Sequence, residues 1–213
     1  MTDFGFYLVI TNPVAGYAKC AEAAVRAGVR IIQLRMKHAP REALLREALE
    51  MRRATAGSET LFIVNDDPAV AEESGADGVH VGQDDMPVAE VRSRFPSLRI
   101  VGLSTHSPQQ ALAAVSAHPD YIGVGPVWAT PTKEVPDVPL GVETAAAMVR
   151  SVPFPAVAIG GITDAGRISA VVKAGIANFA VVRAVCSSRD PYSAIVDIQR
   201  AAAEARSSAI SAR

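Results

Sequence analysis

The sequence predicts an α/β protein built as a single (β/α)8 TIM barrel, and three observations lead there. Eight short apolar or β-branched runs alternate with longer Ala-, Glu- and Arg-rich stretches of helical period, the pattern of βαβ units around a parallel sheet. Eight is the number of strands at which such a sheet closes. Polar residues also collect just after the runs, at the strand ends where barrel active sites form. A doubly wound open sheet uses the same units and is the rival architecture.

The strand-like runs fall at 7–10, 31–35, 61–65, 78–81, 99–104, 121–127, 156–160 and 178–183, and helical periods are clearest over 41–54, 109–117 and 167–174. Gly28, Gly75 and Gly175 each separate a helical stretch from the next run, where a left-handed residue ends a helix. No linker or low-complexity stretch divides the 213 residues, so 1–213 reads as one domain, with a frayed tail over 207–213.

Composition narrows the function. Hydrophobic residues make up 49% and charged residues 20%, enough to bury a large core and to exclude wholesale disorder. Lys plus Arg total 21 against 22 acidic residues, a net charge of −1, so no global basic field is expected to hold a nucleic acid. No basic amphipathic helix points to a membrane surface, and no apolar run approaches the ~20 residues of a span. The opening MTDFGFYLVI lacks the features of a secretory signal, and Cys20 and Cys186 make no disulfide framework. A cytoplasmic protein with reduced thiols is expected; a homo-oligomer is compatible with the sequence but not read from it.

The strand exits carry the chemistry. In the second run, alternation puts Gln33, Arg35 and Lys37 on one face and Ile32, Leu34 and Met36 on the other. The apolar set suits the helix layer, and the two cations suit a phosphate or pyrophosphate in the mouth. The third run ends in Asn65-Asp66-Asp67-Pro68 and the fourth in Gln83-Asp84-Asp85-Met86-Pro87. Helix capping before a proline uses one carboxylate per turn. In a barrel the two acidic turns are neighbours, and carboxylates facing cations suit a Mg²⁺ that bridges to pyrophosphate oxygens. The fifth run offers Ser104, His106 as a candidate base, and Ser107 as a cap; His80 reads as a packed interior group. After the sixth run, Thr130, Thr132 and Lys133 lie on a long proline-stiffened loop, read as a lid that reaches a phosphate. Gly160-Gly161 after the seventh run lets backbone N–H groups and the next helix's positive end approach a second anion.

With those residues in view, the chain resembles the thiamine phosphate synthase family. The resemblance is carried by QLRMK at 33–37, VNDD at 64–67, GADGVHVGQDD at 75–85, GLSTH at 102–106, GPVWATPTK at 125–133 and AIGGI at 158–162, in family order. It implies coupling of hydroxymethylpyrimidine pyrophosphate with a thiazole phosphate, giving thiamine phosphate and pyrophosphate. By the same resemblance, Arg35, Lys37, Asn65 and Lys133 would hold the pyrophosphate, oriented with help from Gln33. Asp66 and Asp85 would bind Mg²⁺, with Asp67 and Asp84 as supporting members. Ser104 would contact the pyrimidine, and Arg35, Lys37, Lys133 and Ser104 would carry the catalysis. Thr130 and Thr132 would hold the thiazole phosphate, with backbone at Gly161 and near Val182 and Arg183, the Arg183 guanidinium either joining them or facing solvent. The family commonly has Ser in a VVSA exit where this chain has Val-Val-Arg183-Ala. The alternatives are a thiazole tautomerase with His106 as base, and a non-catalytic barrel that binds thiamine precursors.

Overall fold

The structure, a computed structural model, describes residues 3–130 and 138–211. Its strands are β1 (Phe6–Ile10), β2 (Ile31–Leu34), β3 (Leu61–Asn65), β4 (Gly78–Val81), β5 (Ile100–Thr105), β6 (Tyr121–Val124), β7 (Ala156–Ala158) and β8 (Asn178–Val181). They pair parallel in chain order, and β1 also pairs with β8, which closes the barrel and excludes the open sheet. The helices on the outside are α1 (Tyr17–Arg26), α2 (Arg41–Thr55), α3 (Pro68–Ser74), α4 (Val88–Arg94), α5 (Pro108–Ala117), α6 (Gly141–Arg150), α7 (Ala165–Lys173), α8 (Arg183–Cys186) and α9 (Pro191–Ser211).

Alternation along each strand divides the apolar residues between two cores. Tyr7, Val9, Ile31, Ile63, Tyr121, Val157 and Ala180 fill the barrel. Leu8, Ile10, Ile32, Leu34, Phe62, Val64, Val79 and Val81 face outward and pack with the helices. The Gln33/Arg35 set therefore shares its face with the barrel interior, as the sequence predicts. Four runs stop earlier than the hydrophobic pattern suggests. The sixth ends at Val124 because Pro126 has no N–H to give the ladder. The seventh ends at Ala158, before Gly160 and Gly161 turn the chain at φ 98° and 72°. Of the tail expected to fray, residues 207–211 instead continue α9 through Ser211, and 212–213 lie outside the described residues. Ile195, Ile198, Ala202 and Ala205 recur at helical spacing and are buried, with α9 packed on α1 and α7.

Asp77 fixes the register of three strands from the end opposite the mouth. Its nearly buried carboxylate accepts from the Phe62 N–H at 2.9 Å and from the guanidinium groups of Arg99 and Arg52. Asp77→Ala would leave a buried N–H unpaired and should cost about 1–3 kcal/mol. Urea unfolding reads this as a lower midpoint, and an unchanged midpoint would remove Asp77 from the clasp.

Candidate active site

At the mouth, β2 ends with Gln33 buried, Arg35 half-buried on the cavity wall and Lys37 exposed. The Arg35 N–H donates to the Ile10 carbonyl at 2.9 Å, which carries the β1 pairing one residue past the strand and aims Arg35 inward. The Lys37 ammonium is paired with the Asp66 carboxylate.

The two acidic turns differ from each other. Asp67 caps α3, accepting from the Val70 N–H at 2.9 Å with Pro68 at the first helical position, as its sequence grammar indicates. That leaves Asp66 at the centre of a γ-turn, φ 67°, closed by the Asp67 N–H on the Asn65 carbonyl at 2.9 Å. A non-glycine residue in that region is strained, and such strain gathers at functional sites. Neither Asp84 nor Asp85 caps α4, so the capping reading fails there: Pro87 holds the N-cap position without a side-chain bond. The Asp85 carboxylate instead folds back on its own turn and accepts from the Gly82 N–H at 2.7 Å.

The Asp66 and Asp85 carboxyl groups are brought together. Burial raises the Asp66 pKa, the Lys37 ammonium pulls it down, and the charge of Asp85 with a carboxyl–carboxyl hydrogen bond raises it again. No cluster of three or more His, Cys, Asp or Glu residues suited to a metal occurs among the described residues. Two oxygen-donor carboxylates side by side fit Mg²⁺, which keeps waters and takes substrate phosphate oxygens beside one or two carboxylates.

Beneath the rim lies a cavity of about 160 Å³ open to solvent. Gln33, Arg35, Asn65, Ser104, Thr130, Gly161, Val182 and Arg183 all line it. Lys37, Asp66 and Asp85 stand outside its lining, while Thr132 and Lys133 fall outside the described residues. The floor holds a hydrogen-bonded chain that the sequence analysis missed. Gln33 Nε2 donates to the Tyr7 hydroxyl at 2.8 Å, and Tyr7 meets the Tyr121 hydroxyl at 2.9 Å. Tyr121 meets His80 Nδ1 at 3.0 Å, and His80 Nε2 meets Ser104 Oγ at 2.9 Å. His80 is thus a bonded member of the site rather than mere packing. The available signal was the inward register of Tyr7 and Tyr121, whose buried hydroxyls need partners.

On the far side, Gly160 and Gly161 are packed too tightly for a side chain. A Cβ on Gly160 would lie 2.6 Å from Pro126 Cα, and one on Gly161 would lie 2.7 Å from Trp128 Cβ. Arg167 braces this turn, bonding the Gly161 carbonyl while its guanidinium lies 5.2 Å from the Trp128 ring centre. The amino end of α7 is less available than expected. Asp164 caps it, accepting from the Arg167 N–H at 3.0 Å, and that bond holds the Asp164 carboxyl below its usual range. Arg183 is exposed at the cavity edge beside Val182.

These features define a class: a (β/α)8-barrel enzyme whose mouth sets a cation-and-carboxylate rim on one side and a glycine turn with Arg183 on the other. The thiamine monophosphate synthase family model matches residues 6–185, and the chain belongs to that family. It is 43% identical to the thiamine-phosphate synthase of Gloeobacter violaceus over 86% of its length, spanning 53% of that longer protein. It is 40% identical to the thiamine-phosphate synthase of Anaeromyxobacter dehalogenans, covering 92% of this chain and 87% of the relative. The solved thiamine phosphate pyrophosphorylase of Pyrococcus furiosus superposes with a TM-score of 0.85 at 31% identity, covering 95% of this chain and 96% of its own.

Burial lowers the His80 pKa from 6.5 to about 4. The folded chain then binds fewer protons than the unfolded chain between those values. The His80 contribution to stability is undiminished above pH 6.5 and falls as pH drops toward 4. The urea midpoint of His80→Gln should fall less than that of the parent between pH 7 and pH 5. Equal losses would show that His80 is not held neutral.

Proposed function

We propose that this chain is a thiamine phosphate synthase. It joins hydroxymethylpyrimidine pyrophosphate to a thiazole phosphate and releases pyrophosphate. The observation that carries this reading is the pair of Asp66 and Asp85 carboxyl groups beside Lys37, next to a cavity lined by Arg35, Asn65, Ser104 and the Gly160-Gly161 turn.

The bond from the pyrimidinylmethyl carbon to the diphosphate oxygen breaks, and the bond to the thiazole nitrogen forms. The electron pair of the breaking bond leaves with the diphosphate, so the reaction needs charge stabilisation more than a strong base. Arg35, Lys37 and Asn65 hold the diphosphate, and Lys133 from the loop is assigned to it as well. Gln33 orients the substrate, and Ser104 contacts the pyrimidine. Thr130, Thr132, Gly161, Val182 and Arg183 hold the thiazole phosphate, keeping its ring over the reacting carbon. Bound between Asp66 and Asp85, Mg²⁺ would supply Lewis-acid stabilisation of the leaving oxygens. Lys37, now on Asp66, is freed to meet the diphosphate when that charge arrives. Two buried thiols without a disulfide suit a reducing cytoplasm.

His106 favours one second reading. Its Nδ1 donates to the Gly125 carbonyl at 2.6 Å, fixing an imidazole on the cavity wall that could serve a proton-transferring tautomerase. That chemistry has no use for the Asp66–Asp85 pair.

Mixing both substrates with Mg²⁺ should yield thiamine phosphate, and EDTA should abolish it; equal product in the two samples would refute the metal's role. Asp85→Ala and Arg35→Ala should each lower turnover roughly a hundredfold, and unchanged rates would remove those residues from the diphosphate site. Arg183→Ser should change the KM for the thiazole phosphate but not for the pyrimidine. An unchanged value would place Arg183 outside the site.

A further inference from the structure

We propose that Tyr7, Tyr121 and His80 are positioning residues that fix the direction of the Ser104 hydrogen bond, so that its hydroxyl is presented to the pyrimidine ring as a donor. This rests on the function proposed above, because that reading places the pyrimidine against Ser104.

The chain runs across the barrel floor and takes one side chain from each of five strands: Gln33 from β2, Tyr7 from β1, Tyr121 from β6, His80 from β4 and Ser104 from β5. Its three inner members are buried, and a buried hydroxyl proton or ring nitrogen without a partner is costly. That cost sets a direction. The Gln33 amide donates to the Tyr7 oxygen, so Tyr7 passes its own proton to Tyr121. Tyr121 then donates to His80 Nδ1, which leaves the imidazole proton on Nε2 and its bond directed at Ser104 Oγ. The Ser104 proton remains for whatever enters the cavity. In the opposite direction Ser104 would donate to His80, and Tyr7 would receive two donors while its own proton had no acceptor in the chain.

The packing makes room for this chain. A Cβ on Gly102 would lie 2.4 Å from His80 Nδ1 and 2.3 Å from the Tyr121 ring. A Cβ on Gly123 would lie 3.5 Å from His80 Cε1. Bare backbone on β5 and β6 therefore surrounds the imidazole, whose Nδ1 faces Tyr121 and whose Nε2 faces Ser104, so one nitrogen accepts while the other donates. A pyrimidine ring nitrogen offers a lone pair and no proton, so it is matched by a hydroxyl that donates. The thiazole phosphate is held across the mouth and does not depend on this polarity.

Two measurements test the proposal. In protein labelled with ¹⁵N-histidine, the His80 imidazole, assigned by its loss in His80→Gln, should show the neutral Nε2–H tautomer; an Nδ1–H tautomer overturns the proposal. Tyr121→Phe should raise the KM for the pyrimidine pyrophosphate roughly five- to tenfold and leave that for the thiazole phosphate unchanged. The double variant with Ser104→Ala should be little worse than Ser104→Ala alone, since the relay acts through that hydroxyl. Additive losses, or equal increases in both KM values, would assign Tyr121 a structural role only and overturn the proposal. If the parent protein makes no thiamine phosphate, the functional reading fails and with it the pyrimidine as acceptor. The tautomer reads the relay's direction independently of that outcome.

Discussion

Two carboxyl groups held side by side at the top of a barrel repel each other unless something positive stands between or beside them. Asp66 and Asp85 are in that position, and the backbone keeps them there. Asp66 sits in a γ-turn because Asp67 is committed to capping α3 and the Asp66 N–H is bonded to the His80 carbonyl at 2.8 Å. Asp85 is tied to its own turn through the Gly82 N–H. Each is tethered through its own turn, so a cation at the mouth would relieve their repulsion. Lys37 relieves part of it. A divalent cation that brings a diphosphate would relieve it more completely and release Lys37 to the new anion.

The barrel beneath turns this local arrangement into a site. Inward positions near the floor are apolar or aromatic, as at Ile31, Ile63 and Val157, and those near the exits are polar, as at Gln33, Asn65 and Ser104. The buried chain from Gln33 to Ser104 lies at the boundary between the two. It links strands that the ladder does not pair directly, β1 with β6 and β6 with β4, across the interior. A polar network with every member bonded rigidifies such a core, whereas a broken one would destabilise it. The same bonds that hold the barrel therefore set what the cavity wall presents to a ligand.

Much of this was legible in the sequence. Strand alternation alone put Gln33 and Arg35 on the inner face, whereas Lys37 lies past the end of β2 and outside the cavity lining; strand order alone made the turns at Asp66 and Asp85 neighbours. Helix-start grammar identified Asp67 and Ser107 as caps. Capping, the plainer alternative for the turn at Asp84 and Asp85, does not hold: Met86 separates Asp85 from Pro87, and the Asp85 carboxylate takes the short turn to Gly82 instead. Helix-start grammar also overrated the amino end of α7, whose charge Asp164 already satisfies. The tyrosine–histidine chain was hidden for a different reason. Tyr7 and Tyr121 lie within apolar runs, and their hydroxyls find partners more than twenty residues away, which no local pattern encodes. The tail read as frayed because Ser207 and Ser208 look like loop residues, although the apolar positions before them keep helical spacing.

The most direct test of the account is a crystal structure of the protein with Mg²⁺ and inorganic pyrophosphate. It should show one ion between the Asp66 and Asp85 carboxylates, with diphosphate oxygens completing its shell and lying on Arg35 and a displaced Lys37. A Lys37–Asp66 pair left intact, with the diphosphate bound away from both acidic turns, would contradict it.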